Sequence, residues 1–216
     1  HDLLQRLSSM PPDTPGAGKA SDPCTIIYTS GTTGLPKAVL NSHRAYLACG
    51  EQTARLLGLS DADRIMVFLP LFHANPQMYA IASALVVGCG LAICPKTSIS
   101  RLLDDARRFE CTFFTYVGTV LAMLVSRITW NDSDHPLRGC IGGGAPREIW
   151  QAVERRFGIL VHELYGMSEI GGWVTANGIV ERRPGSCGRP RDDVEVRIFD
   201  SEDRSVPCGA RGEIVV

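Results

Sequence analysis

The segment Tyr28-Thr29-Ser30-Gly31-Thr32-Thr33-Gly34-Leu35-Pro36-Lys37-Ala38-Val39 concentrates hydroxyls, glycines and a single lysine in one short run. Such a set suits a polyphosphate. Glycines let backbone N–H groups approach anionic oxygens, Ser and Thr hydroxyls add donors, and a lysine ammonium supplies a mobile charge. The same residue types also build ordinary solvated turns. The flanks weigh against that reading. Cys24 to Tyr28 is short, apolar and β-branched, the pattern of a buried strand, and Ser42 to Leu57 carries Ala45, Leu47, Ala48, Ala54, Leu56 and Leu57 at helical spacing. The loop is therefore expected between a strand and a helix, a setting in which anion sites recur. Gly34 is not followed by the Lys-Ser/Thr pair of a Walker loop, and Gly31 and Gly34 lack the third glycine of a dinucleotide fingerprint.

Three further stretches carry chemistry. Leu69-Pro70-Leu71-Phe72-His73-Ala74-Asn75-Pro76-Gln77 joins an apolar strand to a helix. A lone histidine is more commonly a satisfied loop or core side chain, yet His73 falls at a strand's C-terminal end, where open α/β sheets place their ligands. Gly142-Gly143-Gly144-Ala145-Pro146 also links strand to helix, and its small residues leave room for a flat ring against the backbone. In Glu163-Leu164-Tyr165-Gly166-Met167-Ser168-Glu169 a carboxylate, an aromatic ring, a hydroxyl and a second carboxylate leave a strand together. Ile170 stands where a nucleophile elbow needs glycine, which disfavours a serine hydrolase. Neither His/Cys spacing for a metal nor a basic, aromatic-laced surface for nucleic acid emerges.

The string YTSGTTGLPKAV resembles the phosphate loop of adenylate-forming enzymes: acyl-CoA synthetases, luciferases and peptide-synthetase adenylation domains. The other three stretches, together with Pro184-Gly185-Ser186-Cys187-Gly188-Arg189-Pro190 and Arg211-Gly212-Glu213-Ile214, are similar to further motifs of that family in the family's order. The resemblance implies ATP, Mg²⁺ and coenzyme A as partners of a carboxylic acid, a fatty or other acyl acid, which is activated to acyl-AMP and then acyl-CoA. It implies phosphate contacts from Thr29, Ser30, Gly31, Thr32, Thr33, Gly34, Lys37 and Ser168, and an Mg²⁺ ligand in Glu169. It places Gly143, Gly144, Ala145, Glu163, Leu164, Tyr165, Gly166 and Met167 around adenine, with Tyr165 stacked on the ring and Glu163 accepting from its amino group. Phe72, His73, Asn75, Gln77, Gly171 and Gly172 fall to the acyl pocket, and Lys37, His73 and Glu169 to catalysis. Ser168 stands where the family commonly has Thr, and the hydroxyl is kept. Within the family, LPLFHANPQ and Arg147 to Phe157 look most similar to carnitine or crotonobetaine CoA ligases and to fatty-acid transport or very-long-chain synthetases. A domain loading a carrier protein, and a nucleotide-binding relative without turnover, are the alternatives.

These residues need a scaffold. Strands are expected at Cys24 to Tyr28, Arg64 to Leu69, Leu91 to Cys94, Thr112 to Thr115, Gly139 to Ile141 and Leu160 to Leu164. Helices are expected at Ser42 to Leu57, Gln77 to Val87, Ser98 to Phe109, Thr119 to Ile128 and Pro146 to Phe157. The alternation argues for an α/β fold with a largely parallel sheet flanked by helices. Residues 1–23 read as a helix end and linker, 24–175 as the central α/β unit, and 176–216 as the start of an antiparallel β subdomain with strands at Asp193 to Phe199 and Gly212 to Val216.

Bulk properties agree with an ordinary globular protein. The 216 residues carry a net charge of −1 and are 44% apolar, so nothing points to nucleic acid or an anionic membrane surface. The eight cysteines are scattered without a CxxC pair, which predicts reduced, mostly buried thiols and a cytoplasmic setting. A start without Met and an end inside a strand-like run read as a fragment of a large N-terminal domain. The resemblance then implies a further C-terminal domain bearing another lysine, and little activity from the fragment alone; homo-oligomerisation is left open.

Overall fold

The computed structural model describes residues 18–29, 35–94 and 98–216. Strands β1 (Pro23–Thr29) and β2 (Lys37–Ser42) form an antiparallel hairpin of their own, with Ile26 opposite Leu40 and Thr29 opposite Lys37. This corrects the strand-to-helix expectation: the lysine opens a second strand, and helix α1 (His43–Leu57) begins only after it. The switch falls at Ser42, whose Oγ accepts the Ala45 N–H at 3.2 Å and caps the helix. Nor is β1 a buried strand, because Ile27 alone among its residues is buried.

The main sheet follows. Its strands are β3 (Arg64–Val67), β4 (Gly90–Ile93), β5 (Phe113–Val117), β6 (Gly139–Gly143), β7 (Leu160–Met167), β8 (Gly172–Ala176) and β9 (Arg189–Pro190). They lie in the order β4-β3-β5-β6-β7-β8-β9, parallel from β4 to β7 and antiparallel from there on. The chain runs outward from β3 to β4, then returns to place β5 on the other side of β3. That reversal is where open α/β sheets leave a crevice at the strand ends. Strands β10 (Arg197–Phe199) and β11 (Glu213–Val215) make a separate antiparallel ribbon, so only the last part of the expected Asp193 to Phe199 strand pairs.

Side-chain alternation sorts the sheet's two faces. Met66, Phe114, Cys140 and Val161 join the core beneath α3 (Leu102–Arg108), α4 (Gly118–Arg127) and α5 (Arg147–Phe157). Ile65, Val67, Phe113 and Ile141 face α1 and the helical stretch from Asn75. In α5 the buried residues Trp150, Val153 and Phe157 recur at helical spacing, and Gly158 stops the helix in a left-handed conformation. The helix expected from Gln77 starts at Asn75 as a π-helix to Ile81 and continues as α2 (Ala82–Val87). Strand β3 ends at Val67, earlier than expected, which frees Leu69 and Pro70 for the loop beyond it.

At the opposite, N-terminal ends of the strands, Asp63 accepts from Thr112 Oγ1 at 2.7 Å and Arg138 Nη2 at 2.5 Å, tying the approaches to β3, β5 and β6 together. All eight cysteines are free thiols; four are buried, while Cys24 and Cys208 are exposed. Among the described residues, no helix is long and apolar enough to cross a membrane.

Candidate active site

A cleft of about 610 Å³ opens at the C-terminal ends of β3, β5, β6 and β7. It brings together three of the stretches singled out in the sequence. Leu69, Pro70 and His73 to Pro76 form one side, Gly143 and Gly144 a second, and Leu164 to Ser168 a third. Tyr79 and Val117 complete the lining.

The Gly143–Gly144 wall owes its shape to close backbone packing. Gly144 has φ +90°, in the region that favours glycine, and a Cβ on Gly118 would overlap the Gly144 carbonyl. Glu163 supports this wall from beneath. One carboxylate oxygen accepts the Gly144 N–H at 2.5 Å, the other accepts the Tyr116 hydroxyl at 2.5 Å, and the Ala145 N–H lies 3.2 and 3.1 Å from the two. Glu163 is 9% exposed, and its lone pairs are engaged by these donors. The expectation that it accepts from an adenine amino group is therefore corrected: its oxygens face the turn and Tyr116. Ala145 is likewise buried below the wall rather than on the cleft surface.

Of the residues that the resemblance assigns to an acyl pocket, only some line the cleft. His73 and Asn75 line it, and the Asn75 amide donates to the Tyr116 carbonyl at 2.9 Å. Phe72 does not; it is 71% exposed, its ring tilted against His73 with centroids 4.4 Å apart. Gln77 instead donates to the Leu71 carbonyl at 2.6 Å, bracing the loop from outside. Gly171 and Gly172 also lie off the cleft wall. A Cβ on Gly172 would sit 2.6 Å from Cys49 Sγ and 3.5 Å from the Tyr79 ring, so this glycine lets β8 pack directly behind Tyr79.

The phosphate-loop residues divide. Ser30, Gly31, Thr32, Thr33 and Gly34 lie outside the described residues. Thr29 and Lys37 face each other across the hairpin, Lys37 being exposed, and neither lines the cleft. Strand β2 packs beside the short 3₁₀ turn Ser168–Ile170. Ser168 reaches the cleft, and the next residue, Glu169, is exposed on the turn. Lysine, hydroxyl and carboxylate are thus carried by adjoining elements, and of the three only Ser168 lines the cleft. Among the described residues, no group of three or more His, Cys, Asp or Glu side chains is gathered as a metal cage. A single hard carboxylate such as Glu169 fits Mg²⁺, which protein sites commonly hold through one or two carboxylates plus substrate phosphates.

Sequence reasoning missed Tyr116 altogether. Tyr116 is fully buried at the end of β5, and burial, then the neighbouring Cys140 and Glu163, push its hydroxyl pKa far up, so it remains a donor. The available signal was a tyrosine following Phe113, Phe114 and Thr115 in a strand-like run, since a buried phenol needs a partner.

Comparison with known proteins agrees with this geometry. Residues 3–216 match the model of the AMP-binding enzyme family, and the chain belongs to that family. It is 35% identical over 213 residues to a sulfoacetate–CoA ligase of Cupriavidus necator, covering 97% of this chain and 40% of that protein. It is 37% identical over 170 residues to long-chain fatty acid transport protein 3 of Mus musculus, covering 78% of this chain and 25% of that one. The crystal structure of an anthranilate CoA ligase in complex with anthranoyl-AMP superposes with a TM-score of 0.85 at 26% identity, over 92% of this chain and 40% of that chain. The chain therefore spans 40% or less of the length of these relatives. The α/β fold with its mostly parallel sheet is that of the large domain of adenylate-forming enzymes.

Proposed function

We propose that the whole protein activates a carboxylic acid with ATP, forming acyl-AMP and pyrophosphate, and then passes the acyl group to coenzyme A with release of AMP. One observation carries this reading: three family motifs converge on a single cleft, beside the hairpin that bears Lys37. The acid's carboxylate is already ionised at neutral pH and needs no general base. Its attack on the α-phosphate is an in-line displacement between anions, so catalysis rests on positioning and charge neutralisation.

Each part of the site has a role in that scheme. Lys37, Thr29 and the loop Ser30 to Gly34 take the outer phosphates, and the Ser168 hydroxyl bonds a phosphate oxygen. Glu169 would hold Mg²⁺, which when bound draws negative charge from the phosphate oxygens. Tyr165 stacks on adenine against the Gly143–Gly144 wall, with Leu164, Gly166 and Met167 beside it. His73 and Asn75 border the carboxylate. Leu69, Ala74, Pro76 and Val117 give the acid side an apolar lining suited to a fatty or similarly apolar acyl group. The C-terminal domain implied by the family resemblance would close over this cleft.

Lys37→Ala in the whole protein tests the assignment. Loss of one charge-assisted phosphate contact should lower kcat/KM for ATP by roughly ten- to a hundredfold, as a hydrogen bond to a charged group is worth about 1.5–3 kcal/mol. Acid-dependent pyrophosphate release is the measurement; an unchanged rate at limiting ATP would remove Lys37 from the site.

A further inference from the structure

Tyr116 and Glu163 connect all three walls of the cleft. The Tyr116 carbonyl receives the Asn75 amide at 2.9 Å, its hydroxyl donates to Glu163 at 2.5 Å, and Glu163 holds the Gly144 and Ala145 amides. Asn75 belongs to the loop after β3, Tyr116 to β5, Gly144 and Ala145 to the turn after β6, and Glu163 to β7. Residues far apart in sequence are fixed at the strand ends by one buried pair.

The electrostatics are unusual for a glycine-rich turn entering a helix. Such a turn, with its free N–H groups and the positive end of α5, would ordinarily invite an external anion. Here an internal carboxylate occupies it. Among the described residues no Lys, Arg or His forms an ion pair with Glu163; its donors are the two turn amides and a neutral phenol. An ionised carboxylate buried without such donors would be costly, so the pair and the turn stabilise one another. With that negative charge beneath it, the wall repels a phosphate and favours a neutral planar ring with partly positive edge hydrogens.

We propose that the Tyr116–Glu163 pair is a positioning device which fills the anion-accepting turn Gly144–Ala145 from within, reserving that wall for the nucleobase and leaving the phosphates to the Lys37 side. The inference rests on the ATP reading for its ligand, whereas the hold on the turn is a property of this chain alone. Neither residue is a catalytic residue, because both act through the wall they shape.

The test compares Tyr116→Phe, Glu163→Gln and the double variant in the whole protein. Each single change should weaken AMP binding about tenfold and raise KM for ATP alongside it, with kcat and the KM of the acid altered less than threefold. The double variant should be no worse than Glu163→Gln, since both cut one pair. Amide hydrogen exchange at Gly144 and Ala145 should quicken at least tenfold in Glu163→Gln. Unchanged AMP affinity in folded Tyr116→Phe, fully additive effects, or unaltered exchange at the turn would each overturn the proposal. Tyr116→Phe loses a single hydroxyl, so it decides the matter even if Glu163→Gln fails to fold. A wild-type protein that bound neither ATP nor AMP would instead overturn the proposed function, and the exchange measurement would still judge the hold on the turn.

Discussion

Burial holds the His162 imidazole below the ordinary histidine range, and its Nδ1 lies 2.9 Å from the Asn177 carbonyl oxygen, the geometry of a neutral ring donating from Nδ1. The fold disfavours the protonated ring, while the unfolded chain takes its proton near pH 6.5. Stability should therefore be unaffected by His162 above that pH and fall as pH drops below it, by at most about 1.4 kcal/mol per pH unit. His162→Gln should flatten the decline between pH 7 and pH 5 in urea titrations; an identical pH profile would show that the ring titrates alike in both states. At this scale the residue types were legible. Tyr165 and Ser168 stand in a string specific enough to single out, and both line the cleft. What Glu163 does was not, because its hydroxyl partner Tyr116 comes from another strand and no local spacing links them. The resemblance places Phe72 in the acyl pocket, but the loop turns its ring outward.

The elements of the sheet were read well wherever a single period prevailed. Helix α5 shows its buried face as Trp150, Val153 and Phe157, and β5 and β6 differ from expectation only at their ends. The hairpin was harder, since Lys37 to Ser42 is too short to declare a period, and the decisive signal is the cap at Ser42. The contact between β5 and the turn after β6 was also hidden, although it sets the wall's position. Gly118→Ala would force a Cβ into the Gly144 carbonyl and should destabilise the protein by about 3 kcal/mol, the upper part of the usual range for overpacking. Gly178→Ala, where the new Cβ would meet only Leu56 Cδ1 at 3.6 Å, is the control and should shift stability by less than about 0.5 kcal/mol. Equal urea midpoints for the two variants would mean that the β5–β6 approach relaxes without cost.

For the whole molecule, alternation of strand and helix patterns gave the α/β class, but not the strand order that makes the crevice. That order comes from packing between distant segments, and it places His73, Gly144 and Tyr165 around one opening. In the proposed reading the cleft has an apolar acid side and a nucleobase wall underpinned by the buried Glu163 carboxylate, with Lys37 on the neighbouring hairpin and Glu169 on the turn after Ser168. In the proposed reaction the acid's own oxygen attacks the α-phosphate. Incubating the whole protein with ATP, Mg²⁺, coenzyme A and ¹⁸O-carboxylate-labelled acids of graded chain length, followed by mass spectrometry of the nucleotide, tests it directly. AMP carrying one ¹⁸O should form together with pyrophosphate; unlabelled AMP, or ADP and inorganic phosphate in its place, would rule out this attack.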